Sequence, residues 1–152
     1  MKKLILLVSS AVIFTACTQQ PVKTVATGPV VKTLPYLKEL QQGIAIYFKN
    51  NSTQITDQDL VYVGAAAEIL LSNPRAVLYV TGHTDSTGNA AVNKRVSMQR
   101  ANTVKTRLIT QYNVSPNQVI AEGAASAQPI ADNSTAEGRA KNRRVTLALK
   151  LN

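Results

Sequence analysis

From Glu39 to Leu151 the chain switches repeatedly between an apolar period of two and an apolar period near 3.6. That alternation restricts the fold more than any other feature, because strands and helices that take turns along a chain pack as separate layers. Ile44, Ile46 and Phe48 alternate with small or polar residues, as in a half-buried strand. Thr56 with Asp59 resembles a capping box, and Leu60, Val63, Ala67, Leu70 and Leu71 follow at helical spacing until Asn73-Pro74 stops the helix. Ala76 to Thr81 holds Val77, Leu78, Tyr79 and Val80, the run of an inner strand. A long helix is expected from about Asn89 to Tyr112, with Ser97, Ala101, Val104 and Leu108 on its core face. Val119 to Glu122 reads as a third strand, and Ser134 or Thr135 caps a short helix through Asn142. Val145, Leu147, Leu149 and Leu151 alternate with Thr146, Ala148 and Lys150, a last strand with one wet face. Gly82 to Gly88 and Gly123 to Asn133 are expected to be loops. The order β-α-β-α-β-(α)-β predicts an α/β (α+β) sandwich, with helices packed on one side of a small mixed four-stranded sheet. There is no internal repeat.

Upstream of this pattern the chain reads differently. Lys2 and Lys3 precede an apolar run from Leu4 to Phe14, interrupted only by Ser9 and Ser10. Eleven residues are too few to span a bilayer, which takes about 20. The order of charge, apolar run and small residues is that of a secretory signal. The run ends in Phe14-Thr15-Ala16-Cys17, and Cys17 is the only cysteine, so no disulfide can form within the chain. The tetrapeptide resembles the lipobox of bacterial lipoproteins, with Phe14 bulkier than the usual Leu. The resemblance implies a signal peptide over 1–16 and a Cys17 carrying a thioether-linked diacylglycerol and an N-acyl chain. It also implies an outer-membrane destination, because Thr18 is not the Asp that marks inner-membrane retention. A free thiol or an intermolecular disulfide is the competing reading of Cys17. Residues 18–38, rich in Thr, Val, Gln and Pro, have no useful periodicity and read as a tether. Its 21 residues reach roughly 70 Å when extended and about 25 Å as a coil. The folded domain is then 39–152.

Lys and Arg total 17 against 8 acidic residues, a formal charge of +9, of which Lys2 and Lys3 supply two. A mature chain at +7 favours an anionic partner: nucleic acid, anionic lipid or a carboxylate-rich polymer. Export argues against nucleic acid. With aromatics at 5% and no Trp, the core must be built from Val, Ile, Leu and Ala.

The stretch that carries function is Gly82-His83-Thr84-Asp85-Ser86-Thr87-Gly88, followed by Asn93, Ser97, Arg100 and Ala101, with Asn142-Arg143-Arg144-Val145 near the end. Asn93, Val96 and Arg100, spaced three then four, share a helix face distinct from the core face, and Asp85 lies in the loop feeding that helix. From spacing alone, Asp85 and Arg100 read more readily as a structural ion pair than as ligand groups. Likewise Arg143-Arg144 can be a solvated basic pair; in a strand entry at most one of the two faces a ligand.

As a set, these motifs resemble the OmpA-like peptidoglycan-binding domain, from about Gly43 to Leu151, in a lipoprotein of the peptidoglycan-associated type. The resemblance implies a non-catalytic outer-membrane lipoprotein that binds peptidoglycan stem peptides and tethers the outer membrane to the wall. It assigns Asp85 to the ammonium and Arg100 to the carboxylate at the free end of diaminopimelate, and places Asn51, Asn93, Val96 and Arg143 around the ligand. Departures from the pattern are Gly123-Ala124-Ala125, which lacks an aromatic after the glycine, Val96 in place of Leu, and Lys49 after Phe48. The other functional reading is a subunit of a trans-envelope complex with a periplasmic protein partner, for which the wall is only the foothold.

Catalysis is disfavoured. One His, one Cys and scattered carboxylates do not make a metal site, and no cofactor is implied. Gly82 to Gly88 matches neither a phosphate loop nor a dinucleotide fingerprint. His83 reads as structural or as exposed at the loop edge.

Overall fold

A computed structural model describes residues 36–152; residues 1–35, with the expected signal segment, Cys17 and most of the tether, lie outside the described residues. The elements are α1 (Leu37–Gln42), β1 (Ile44–Tyr47), α2 (Asp57–Ser72), β2 (Val77–His83), α3 (Ala90–Tyr112), β3 (Val119–Ala125), α4 (Ala136–Asn142) and β4 (Arg144–Lys150). The strands form one mixed sheet in the order β1-β4-β2-β3. β4 runs antiparallel to β1 and β2, while β2 and β3 are parallel across the α3 crossover. This is the sandwich that the alternation predicts.

One sheet face carries Ile46, Leu78, Val80, Val119, Val145, Leu147 and Leu149, all buried against Val63, Ile69 and Leu70 of α2 and Ala101, Val104 and Leu108 of α3. The other face exposes Tyr47, Tyr79 and Ile120. Each fully buried aliphatic side chain contributes about 1.5–3 kcal/mol, so this single layer of Val, Ile and Leu holds the helices on the sheet. The long helix needs that packing, because its own sequence is mostly polar and would be marginal as an isolated helix.

Three local expectations are corrected. The tether ends early: Leu37 and Lys38 already lie in α1, whose Leu40 is fully buried, and Tyr36 meets Tyr62 edge to face at 5.1 Å. Leu71 and Leu151 are exposed, since Leu71 lies one residue past the buried Leu70, about 100° around the helix, and β4 ends at Lys150. β2 and β3 run further than expected, to His83 and Ala125.

The last correction matters most for function. Gly82 and Gly123 are register partners. A Cβ on Gly82 would lie 1.9 Å from Ser97 O, and one on Gly123 would lie 2.5 Å from Ser97 Oγ. The paired glycines are therefore a notch in the sheet into which α3 settles at Ser97, rather than the start of two loops. Ser97 Oγ fastens the contact by accepting from Ala125 N at 3.1 Å. Asn93, Val96 and Arg100 are thereby fixed against the end of β2.

Candidate functional site

Beyond His83 the chain leaves the sheet and turns into α3. Thr84 N donates to Ala125 O at 2.9 Å, which holds the exit of β2 to the end of β3. Asp85 folds the loop around its own carboxylate: Oδ1 accepts from Thr87 N at 2.9 Å and from the Thr87 hydroxyl. Asn89 caps α3, its side chain accepting from Ala91 N at 2.7 Å. Asn93, one turn in, donates from Nδ2 to Thr87 O at 3.0 Å. On the far side, Asn142 is fully buried and accepts from Ile130 N and Ala131 N while donating to Asn133 Oδ1. Asn133 Oδ1 in turn accepts from Ser86 N at 3.1 Å. The Asn142 of the Asn-Arg-Arg motif thus braces the Asp85 loop from the strand β4 side.

These constraints enclose a cavity of about 350 Å³. Asn51, Asp85, Asn93, Val96, Arg100 and Arg143, the six positions singled out in the sequence, all line it. Asn51 sits in the β1–α2 loop at φ 51°, a left-handed conformation that Asn tolerates better than most residues.

The pairing of charges differs from the expectation. Asp85 Oδ2 meets Arg143 Nη1 at 2.9 Å, and this is the ion pair of the cavity. Arg100 is 2% exposed, so although it lines the cavity it is a buried side chain and not the off-core one that the helix spacing predicts. Its guanidinium donates to three backbone carbonyls: Ser52 O at 3.1 Å through Nε, His83 O at 3.0 Å through Nη1 and Lys49 O at 3.3 Å through Nη2. It also stacks over the Phe48 ring at 5.3 Å. The geometry follows from the notch, since α3 lies so close to the sheet that a side chain one turn from Ser97 must enter the interior. Arg143 and Arg144 do part ways. Arg143 faces the cavity, while Arg144 turns away and donates to Gln128 O at 3.0 Å.

Burial works to raise the Asp85 pKa, but the hydrogen bonds from Thr87 and Arg143, with the Arg143 charge, outweigh it and hold the carboxyl below the usual range. Arg100 is pushed down by burial and by the neighbouring Arg143 charge, with Asp85 opposing. His83, buried at the end of β2, is lowered to about 4 by burial and by Arg144.

One residue that residue spacing did not single out belongs here. Thr84 lines the cavity, and its buried hydroxyl has no hydrogen-bond partner among the described residues; the same is true of Arg143 Nε. Buried polar atoms are nearly always paired, so the residues of this wall keep two polar groups without a protein partner. The signal available was position alone: Thr84 stands immediately before Asp85 in the motif. Among the described residues no group of three or more His, Cys, Asp or Glu is placed to hold a metal ion.

A comparison with protein families matches residues 47–143 to the OmpA family, a span that contains every cavity residue named above. The chain belongs to the OmpA family. Outer membrane protein Omp38 of Acinetobacter baumannii is 40% identical over 125 residues, covering 82% of this chain and 35% of that protein. Peptidoglycan-binding protein ArfA of Mycobacterium tuberculosis is 33% identical over 131 residues, covering 86% of this chain and 40% of that one. This OmpA-family chain thus spans little more than a third of the length of these relatives. Among solved structures, the peptidoglycan-associated lipoprotein of Burkholderia pseudomallei superposes with a TM-score of 0.66 at 26% identity, covering 70% of this chain and 89% of that one.

Proposed function

We propose that this OmpA-family domain binds peptidoglycan, without catalysing a reaction, by holding the free end of a diaminopimelate stem peptide in the Asp85 cavity. The observation that carries the reading is the charge arrangement: one carboxylate and two guanidiniums around about 350 Å³, with two unpartnered polar atoms on the wall. Diaminopimelate ends in an ammonium and a carboxylate on one carbon. Asp85 accepts from the ammonium. Arg143 Nε and the two N–H groups of Arg100 not committed to backbone receive the carboxylate, and Thr84 adds a hydroxyl. Asn51, Asn93 and Val96 close the sides. The names of the relatives ArfA and peptidoglycan-associated lipoprotein support the same polymer.

The test is calorimetric titration with the stem tripeptide ending in diaminopimelate and with the same tripeptide ending in lysine, whose side chain carries an ammonium but no carboxylate. Binding of the diaminopimelate peptide with at least ~tenfold preference is expected; equal affinity for the two peptides would refute the guanidinium role.

With the expected lipobox, the reading extends to an outer-membrane lipoprotein that ties membrane to wall through acylated Cys17. Several acyl chains anchor far more firmly than one, at about 0.8 kcal/mol per buried methylene. Cys17→Ser should abolish incorporation of labelled fatty acid, because the hydroxyl does not replace the thiolate as nucleophile. Label at wild-type level in that variant would remove the anchor from the account.

A further inference from the structure

Two larger cavities, of about 640 and 570 Å³, open on the outer side of α3. They share Thr53, Thr103 and Arg107, so they form one trough between the β1–α2 loop and the helix. Along α3 its wall is Gln99, Asn102, Thr103, Thr106, Thr110 and Gln111. Positions 99, 103, 106 and 110 recur at spacings of three and four, one stripe of the helix about 18 Å long from Gln99 to Gln111. The stripe is amide and hydroxyl, with the Arg107 guanidinium beside it. Thr103 and Thr110 donate to Gln99 O and Thr106 O, which leaves their oxygens able to accept. At the loop end Ile55 and Leu60 supply an apolar patch, with Lys49, Asp57 and Arg107 beside it.

An apolar patch rimmed by hydroxyls, amides and a few charged groups of both signs suits a pyranose ring, which presents C–H faces and a girdle of hydroxyl and acetamido groups. It suits a phosphate poorly, because the charges are few and of both signs. An added peptide strand would seek a sheet edge, and this trough lies against a helix.

Position gives the second argument. Lys49 and Ser52 line the trough, Asn50 and Asn51 line the Asp85 cavity, and Arg100 fixes the loop between by bonding Lys49 O and Ser52 O. The two sites are opposite sides of one short segment. A stem peptide is joined covalently to its glycan, so a peptide held in the cavity brings sugar to the adjacent surface. Building on the proposed wall binding, we infer that the trough is a glycan subsite for the N-acetylated amino-sugar strand of peptidoglycan.

The experiment titrates the full chain with two probes: the free stem tripeptide ending in diaminopimelate, and the same tripeptide on its disaccharide. The disaccharide form should bind about tenfold more tightly, since linked contacts add without a second loss of translational freedom. Gln99→Ala with Asn102→Ala, and separately Thr103→Trp to fill the trough, should reduce the disaccharide form to the level of the tripeptide. Both should leave tripeptide binding unchanged. Equal binding of the two probes to wild type, or variants that retain the difference, would overturn the glycan subsite while leaving the peptide cavity standing. Failure of the tripeptide itself to bind wild type would overturn the peptide reading, and this inference with it.

Discussion

Replacing Arg100 with Ala should unfold much of the population before it says anything about ligand binding. The guanidinium is the brace between the β1–α2 loop, the end of β2 and α3. Its bond to His83 O lies in the buried interior, and a carbonyl stripped of its donor there costs about 1–3 kcal/mol. Ser52 O and Lys49 O are only partly buried, so water replaces the lost donor and each costs about 0.5–1 kcal/mol. Stacking over Phe48 adds about 0.5–1 kcal/mol. Relief from burying a charge offsets part of this total, in keeping with the lowered Arg100 pKa. A net loss of about 3 kcal/mol remains, a large share of the ~5–15 kcal/mol that holds a domain folded. In urea that moves the midpoint down by about 1.5 M, and on heating by about 12 °C or more. Arg100→Lys should recover little, because one ammonium cannot reach three carbonyls in a fixed fork. A denaturation midpoint for Arg100→Ala within about 0.3 M of wild type, with unchanged slope, would refute the bracing role.

Gly82→Ala should destabilise by at least ~3 kcal/mol, because its Cβ would meet the Ser97 carbonyl of α3 at 1.9 Å. Gly88→Ala, with φ +85° and open space, should cost only about 1 kcal/mol of backbone strain; similar melting curves for the two would contradict the notch. Acid should weaken the fold through His83. Its folded pKa of about 4 lies below the ordinary 6.5, so between those values the unfolded chain takes up a proton that the folded chain refuses. Stability from this group is intact above pH 6.5 and falls as pH drops toward 4, by about 3 kcal/mol at most. His83→Gln should flatten that part of the profile, and a wild-type slope in the variant would assign it to other groups. Asp85 acts in the same direction at lower pH, since its depressed pKa withholds protonation until the folded value is reached.

The layers of the fold were legible because strand and helix periods are read locally. Val63, Ala67, Leu70, Ala101, Val104 and Leu108 are buried where helical spacing puts them. Thr56 and Asn89 cap α2 and α3 through their own side chains. What sequence could not give was the depth at which α3 sits. Gly82 and Gly123 are separated by 41 residues in the chain, and only their pairing in the sheet turns two apparent loop starters into a notch. The burial of Arg100 was hidden for the same reason: a face reckoned relative to Ala101 and Val104 looks free until the helix is lowered by the missing Cβ atoms. The Asp85–Arg143 pair spans 58 residues and likewise has no local signature. Gln118, buried and donating to Leu70 O at 2.9 Å and Asn73 O at 3.0 Å, caps the end of α2 from a segment that shows no periodicity at all. The six residues named through the motif resemblance line one cavity, since a motif carries tertiary information that spacing lacks.

The most direct test of wall binding through the Asp85 cavity is co-sedimentation of the purified protein with diaminopimelate-type sacculi, comparing wild type with Asp85→Asn. The substitution keeps the shape and the acceptor for Thr87 N while removing the charge that pairs with an ammonium. Truncating one partner of a hydrogen-bonded charge pair costs about 2–5 kcal/mol. Wild type is expected to pellet with the wall, and Asp85→Asn to lose roughly thirty-fold or more in affinity while its circular dichroism stays native. A folded Asp85→Asn variant that pellets as wild type does would contradict the account.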